Sequence, residues 1–489
     1  METPPKNARD LRVAIIGAGM SGIAAAIKLR EKGYRDIVIY EKAARLGGTW
    51  RENTYPGLSC DVPSHLYSYE FEPNPQWSHL FSPGAEIQAY FEGVAKKYDV
   101  ERLMRFNTAI TRAEFLDGRW HLTTSDGEQA SADIVIAATG VLHQPAYPDI
   151  EGIDDFNGAC FHTARWDHDV ALENQRVGII GTGSTAMQIV PAIIDRVDSL
   201  SLFQRTAQWV IAMSNEAYSR EEIEEFKHSP AKMQAVYDHW AHRFNHRFGR
   251  AVIGDPDEIA RIAKLCKENL QENVHDPELR RQLTPDYTVC CKRLVMSDMF
   301  YPAIQKPNAH LVTTGIKRIE KNGVRTNDEV LHELDVLALA TGFDAHAFMR
   351  PMEVVGINGM TLDKAWAESN KTHRSISIPD LPNFFILIGP NSPVGNFPLI
   401  LVAELQLDYI AQLMDTVRSG DCRAVAPRHA SADQFHEDVR NAMQGTIWMS
   451  GCKSWYIDKN GTPVTWPWDF DRFRDDMRAP DLSEYELIA

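Results

Sequence analysis

Leu11 to Ile16 forms an apolar run that leads straight into Gly17-Ala18-Gly19-Met20-Ser21-Gly22. A helical stretch follows from about Met20 to Lys32, and a second apolar run spans Ile37 to Tyr40. Short apolar runs bounded by turn residues predict buried strands, and this order predicts a strand–helix–strand unit. The pattern recurs. Arg176 to Ile180 reads as a buried strand, Gly181-Thr182-Gly183-Ser184-Thr185-Ala186 as its turn, Gln188 to Val197 as helix, and Leu200 to Gln204 as the closing strand. From about Glu216 to Leu283 the texture becomes charged and helix-periodic, as in Ile259-Ala260-Arg261-Ile262-Ala263-Lys264-Leu265, which predicts a helical insertion. Its His, Trp and Phe residues read as core and solvated faces. Two more strands end alike, Asp133 to Ala138 in Thr139-Gly140 and Leu334 to Ala340 in Thr341-Gly342. After Leu381 come a strand over Phe384 to Ile388, the turn Gly389-Pro390-Asn391 and a helix from Leu399. The acidic end, Asp469 to Glu486, is expected at the surface.

The predicted class is α/β, with two Rossmann-like dinucleotide-binding domains and a helical insertion. The expected division is 1–145 and 345–489 for a first, FAD-binding domain, 155–215 and 286–344 for a second, NADPH-binding domain, and 216–285 for the insertion. In each glycine turn the small residues permit a tight bend and close approach of backbone to a pyrophosphate, whose charge faces a helix N-terminus. Glu41 ends the second strand, 19 residues after Gly22. A carboxylate there accepts hydrogen bonds from ribose hydroxyls, which suits FAD. At the same offset after Ala186 stands Arg205. An arginine there can grip a ribose 2′-phosphate with charge-assisted hydrogen bonds, so the second site is expected to prefer NADPH over NADH.

Composition narrows the function. The 489 residues leave room for about two to four domains. A net charge of −16, from 67 acidic and 51 basic residues, disfavours a nucleic-acid or anionic-membrane partner. The opening Met1-Glu2-Thr3-Pro4-Pro5-Lys6 lacks a signal-peptide core, and no apolar run is long enough to span a bilayer. The seven cysteines show no Cys-x-x-Cys spacing, which suits a reducing cytoplasm and disfavours a disulfide reductase. Each reads as a small buried hydrophobe. No metal-ligand spacing appears. Molecular oxygen is the electron acceptor that fits two dinucleotides in one chain.

Between the two folds lies Phe156-x-Gly158-x-x-x-His162-x-x-x-Trp166-Asp167, a stretch expected on an interdomain linker. It fits the Baeyer–Villiger fingerprint at every defined position, and nearly the whole chain resembles the type I Baeyer–Villiger monooxygenases of the class B flavoprotein monooxygenases. Gly47-Gly48-Thr49-Trp50 and Tyr55-Pro56-Gly57 resemble the flavin-contacting loop, Asp61 the aspartate after it, Leu339 to Asp344 the returning linker, and Lys292-Arg293 the pair supplying the active-site arginine. The resemblance implies NADPH- and O2-dependent oxygen insertion beside a ketone carbonyl through a flavin C4a-peroxide, giving an ester or lactone. Arg293 would stabilise the developing anion and Asp61 would hold Arg293. Lys292, Arg205 and Thr206 would face the NADPH phosphate. Ser21, Lys42, Gly48, Thr49, Trp50 and Tyr55 join the expected FAD contacts, and Gly181, Gly183, Ser184, Thr185, Gln188, Thr341 and Gly342 complete the expected cofactor set. The chain is short for that family, and Gly389 to Asn396 differs from the cyclic-ketone enzymes. Two other readings stand beside this one. Relatives that oxygenate nitrogen or sulfur usually lack the Trp-Asp ending, and a flavin-binding sensor would have no use for the second site.

Overall fold

A computed structural model of the chain describes residues 9–452, 454–458 and 460–489, so the opening Met1 to Lys6 lies outside the described residues. Two five-stranded sheets organise the chain. The first runs, in spatial order, Phe384–Ile386, Ile134–Ala137, Val13–Ile16, Ile37–Tyr40 and Met104–Arg105, all parallel. The second runs Ala309–Val312, Ser199–Phe203, Arg176–Ile180, Val336–Leu339 and Ala159–His162, also parallel. These are two Rossmann-type folds. The strand before each glycine turn is central, and Val13–Ile16 is buried along its whole length, as strands covered on both faces must be. On either side of each such strand the chain order reverses, which places both glycine turns at a topological switch point, where open α/β sheets bind ligands.

The helix Met20–Glu31 packs against the long helix Leu399–Arg418. Ala24, Ala25 and Ala26 are fully buried, and their small side chains permit that approach. The first fold also carries a sheet ordered Glu353–Val355, Ile110–Leu116, Arg119–Thr124 and Gln129–Ala132. Trp120 anchors it, with its ring centroid 5.1 Å from that of Phe384 and its indole N–H donating to Pro382 O at 2.8 Å. Helices occupy Arg220–His228, Pro230–Ala241, Pro256–Asn273 and Pro277–Gln282, with a π-helical stretch at His242–Phe248. Ser219 and Glu222 close a capping box at the first of them.

The chain passes between the two sheets twice, and the crossings lie side by side. Ala146 N donates to Gly342 O at 2.9 Å, Asp344 N to Gln144 O at 2.9 Å, and Thr341 Oγ1 to Ala146 O at 2.6 Å. No helix among the described residues is long and apolar enough to cross a membrane.

Three expectations are corrected. The acidic end is not wholly at the surface: Phe473 and Met477 of and beside the helix Phe470–Asp476 are buried, and Tyr485–Ile488 pairs with Ala424–Pro427. Its apolar residues recur at helical spacing and turn inward while the acids stay outside. The cysteines do not all behave as isolated hydrophobes: Cys291 is bonded to Cys452, and Cys160 is exposed. A pairing across 161 residues has no local sequence signal. The fingerprint is not simply linker, because Ala159–His162 is the edge strand of the second sheet, in register with Val336–Leu339.

Candidate active site between the two dinucleotide folds

A cavity of about 1650 Å³ lies between the folds and is lined by both glycine turns. That exceeds the roughly 300–1,000 Å³ of a site for one small ligand. Every residue expected to contact a cofactor lines it except Gly22. Gly22 serves the turn instead, since a Cβ there would stand 1.9 Å from Gly17 O.

Both turns are built to admit a diphosphate. Gly17 has φ +106°, and a Cβ would meet Ala138 O at 2.5 Å. A Cβ on Gly48 would stand 3.0 Å from Gly19 Cα, so these two backbones form a close cradle. In the second turn Gly181 has φ +109°, while nothing lies within 4 Å of a Cβ on Gly183, which leaves open space before the helix Ser184–Ile193. Neither helix start carries a side-chain cap, so their N–H groups stay available to an anion. Glu41 is buried and accepts from Ala18 N at 2.8 Å, Ala43 N at 2.9 Å and Arg51 Nη1 at 2.9 Å. Three of a carboxylate's about four acceptor positions are thus filled, and one is left for a ribose hydroxyl. Glu41 therefore also fixes the glycine turn.

Arg205 and Lys292 make no ion pair with an acid among the described residues. Lys292 Nζ stands 4.7 Å from the Tyr287 ring centroid. Burial, then the Arg205 charge, pulls the Lys292 ammonium below its ordinary pKa. The Asp286 charge opposes that shift without forming an ion pair, and two neighbouring cations so placed suit a phosphate dianion.

Asp61 and Arg293 meet across the cavity wall, with Arg293 Nε at 2.9 Å and Nη2 at 2.6 Å from the same Asp61 oxygen. Burial acts to lower the Arg293 pKa, and the Asp61 charge more than offsets it, so the guanidinium is held charged. The hydroxyl of buried Tyr456 lies beside the guanidinium and against Gly395. Sequence reasoning missed Tyr456, which has no motif of its own. Trp50 Nε1 donates to Tyr67 Oη at 3.0 Å, and both rings line the cavity.

Tyr55 and Gln188 clip the folds together. Tyr55 Oη donates to Gln188 Oε1 at 3.0 Å, and Gln188 Nε2 donates to Ser59 O at 3.0 Å. Gly57 is needed there because a Cβ would stand 2.4 Å from Gln188 O.

The fingerprint residues stand outside the cavity lining. Gly158 passes close to the neighbouring strand, where a Cβ would meet Asp335 O at 2.2 Å and the Phe156 ring at 2.7 Å. Buried His162 accepts at Nδ1 from Ala164 N at 3.1 Å, and its ring lies 5.4 Å from Tyr147 and 6.0 Å from Phe343 on the two crossings. Trp166 packs edge-on to Phe161 at 5.0 Å, and Asp167 accepts from Asp169 N. Arg165 reaches Glu52 at 3.0 Å and His168 reaches Thr54 at 2.8 Å. The segment thus touches both crossings and the loop of the first fold.

The architecture is that of a two-dinucleotide oxidoreductase, and residues 14–262 match the family described as pyridine nucleotide-disulphide oxidoreductase. A Baeyer–Villiger monooxygenase of Streptomyces coelicolor is 39% identical over 98% of this chain and 93% of its own. An uncharacterized monooxygenase of Mycobacterium tuberculosis is 45% identical over 97% of this chain and 96% of its own. Cyclohexanone monooxygenase from Rhodococcus sp. Phi1, solved with NADP+, superposes with a TM-score of 0.86 at 27% identity, covering 98% of this chain and 99% of that one. The chain belongs to the Baeyer–Villiger monooxygenases.

Proposed function

We propose that this chain is an NADPH- and O2-dependent flavin monooxygenase that inserts oxygen beside the carbonyl of a small ketone, giving an ester or lactone. The observation that carries the reading is the Asp61–Arg293 pair inside the same cavity as both glycine turns. Bound flavin would supply the redox chemistry, hydride acceptance from a nicotinamide and activation of oxygen. The protein's part is electrostatic and spatial. Glu41 and the cradle of Gly19 and Gly48 hold FAD. Arg205 and Lys292 hold the NADPH 2′-phosphate, and Thr206, whose carbonyl accepts from Thr182 Oγ1 at 2.7 Å, shapes the loop beside them. Arg293 offers a fixed positive charge to the anion that develops on the carbonyl oxygen, and it cannot surrender its proton near neutral pH. Asp61 fixes that guanidinium from one side and Tyr456 from another. The fingerprint residues transmit the relative position of the folds to the cavity.

The domain division given above and a cytoplasmic setting belong to this proposal. A panel of ketones and sulfides under ¹⁸O2, read by mass spectrometry, tests it. Labelled ester with NADPH consumption supports the reading. Labelled sulfoxide or N-oxide without ester would move the chain to heteroatom oxygenation, and no NADPH-stimulated oxygen uptake would refute an oxygenase altogether.

A further inference from the structure

We propose that Cys291 and Cys452 form a thiol–disulfide modification site that latches one wall of the oxygenation cavity to the segment carrying Arg293. This rests on the oxygenase reading above. The two cysteines are bonded across 161 residues of chain. Cys291 is followed directly by Lys292 and Arg293, and Cys452 precedes Ser454 and Trp455, all four of which line the cavity. Among the described residues, backbone hydrogen bonds hold Tyr456 within its own hairpin, Ile457 N to Ser454 O at 3.1 Å and Val464 N to Tyr456 O at 2.8 Å, and the hairpin is tied onward by Asn391 N to Val464 O at 3.0 Å. The sulfur bridge adds a covalent tie to the hydroxyl of Tyr456 as a link between this wall and the arginine segment. Ser450 Oγ adds a hydrogen bond to Cys291 Sγ at 3.2 Å.

The two sulfurs differ in access. Cys291 is fully buried, whereas Cys452 is partly exposed, so an incoming reagent meets Cys452. Adjacent Cys290 is buried beside Cys266 and takes no part. Hydrogen peroxide is the oxidant, and a flavin oxygenase releases it whenever it consumes NADPH and O2 without transferring oxygen. The Cys452 thiol loses its proton and its sulfur attacks the peroxide, the O–O bond breaks, and the leaving hydroxide takes up that proton, so a sulfenic acid and water result. The Cys291 thiol then attacks that sulfur, the S–S bond forms and a second water leaves. The sulfurs lose two electrons and the peroxide gains them. Reopening follows attack of an external thiolate on Cys452, with Cys291 leaving as thiolate, and a second external thiolate then frees Cys452 as the two reductant sulfurs join in a disulfide. A reducing compartment keeps the latch open, and an oxidant closes it.

The test uses FAD-loaded protein carrying Cys160→Ser, which removes an exposed free thiol. One portion is treated with hydrogen peroxide and another with a phosphine reductant. Oxidation should yield a Cys291–Cys452 cross-linked peptide about 2 Da lighter than its two thiol halves. Hydrogen exchange of the segment carrying Trp455 should slow. Ketone KM should be roughly tenfold lower than in the reduced form, the scale of ordering two large side chains in advance. Flavin reduction by NADPH should be the same in both. Adding Cys452→Ser should fix the enzyme in the reduced behaviour and abolish its response to oxidant. No cross-link under oxidant would overturn the latch, as would a cross-link that changes neither exchange nor KM. Lack of NADPH-dependent oxygen uptake in both forms would instead overturn the oxygenase reading, and the cross-link and exchange would still judge the latch.

Discussion

Replacing Arg293 by lysine should keep a charge in the cavity and lose most of the oxygenation. Arg293 places two N–H groups, at 2.9 and 2.6 Å, on one oxygen of Asp61 and still presents guanidinium surface to the cavity. An ammonium is a point charge that cannot keep the paired contact and the cavity-facing donors together. One lost charge-assisted hydrogen bond costs about 1.5–3 kcal/mol, or roughly 10- to 150-fold if it is felt in the transition state. A buried lysine also titrates where arginine does not. Burial lowers its pKa, the cationic form is lost as pH rises, and the variant should therefore fail first at the alkaline end. Arg293→Ala removes the charge altogether and should lose about 10²–10³ in oxygenation rate. NADPH consumption, ester and hydrogen peroxide measured in one reaction would check both variants, with flavin reduction followed separately by stopped flow. Flavin reduction should persist, ester should fall, and hydrogen peroxide should rise to match the NADPH consumed. Ester formation near the parental rate in Arg293→Ala, or a defect confined to NADPH binding, would refute the role assigned to this charge.

Arg205→Ala should raise KM for NADPH by roughly ten- to a hundredfold while leaving NADH nearly unchanged, and equal changes for both would remove Arg205 from the 2′-phosphate. Tyr456→Phe keeps the ring and deletes the hydroxyl beside Arg293. It should raise the share of NADPH lost to hydrogen peroxide by roughly tenfold at unchanged flavin reduction, and parental coupling would show that the hydroxyl does not hold the guanidinium. His65 is buried between Tyr218 and Phe226 with both ring nitrogens unpaired among the described residues, and burial lowers its pKa from 6.5 to about 4. The unfolded chain binds the extra proton between those values, so the stabilising effect is complete above the unfolded pKa and is lost as pH falls towards the folded one. From about pH 7 to about pH 5 this amounts to about 2 kcal/mol. Denaturant unfolding of His65→Phe should fall less steeply over that window than the parent, and parallel pH profiles would count against the assignment.

What the sequence made legible was whatever local spacing can encode. The two glycine turns could be placed because each stands between an apolar strand and a helix, and Glu41 and Arg205 because each ends the next strand at a fixed offset. Alternation for the four-stranded sheet was also present, in Ala113 and Phe115 on one strand and in Trp120, Leu122 and Thr124 on the next, while an irregularity between Ile110 and Arg112 breaks it at the start of the first. The tail misled because its composition is acidic while its periodicity is amphipathic, and periodicity decides which face is buried. Residues whose roles arise only on folding had no such signal. Gln188 sits within a helix that follows a cofactor turn, yet its amide is shared between Tyr55 and Ser59 of the other fold. Tyr456 and the Cys291–Cys452 bond depend on segments far apart in the chain.

His162 shows why a motif can be read correctly and still be misplaced. Its strand, Ala-Cys-Phe-His, has no clean alternation, since an edge strand is covered unevenly, and so it resembles linker. In the structure that strand ends where both crossings pass: Leu339 is its register partner, and Phe343 and Tyr147 flank the ring. The ring is buried, and the Gly342 backbone on the second crossing lies beside it. The fingerprint is best understood through the crossings it touches: we propose that its residues act on oxygenation by setting where Arg205 and Lys292 stand relative to the cradle of Gly19 and Gly48.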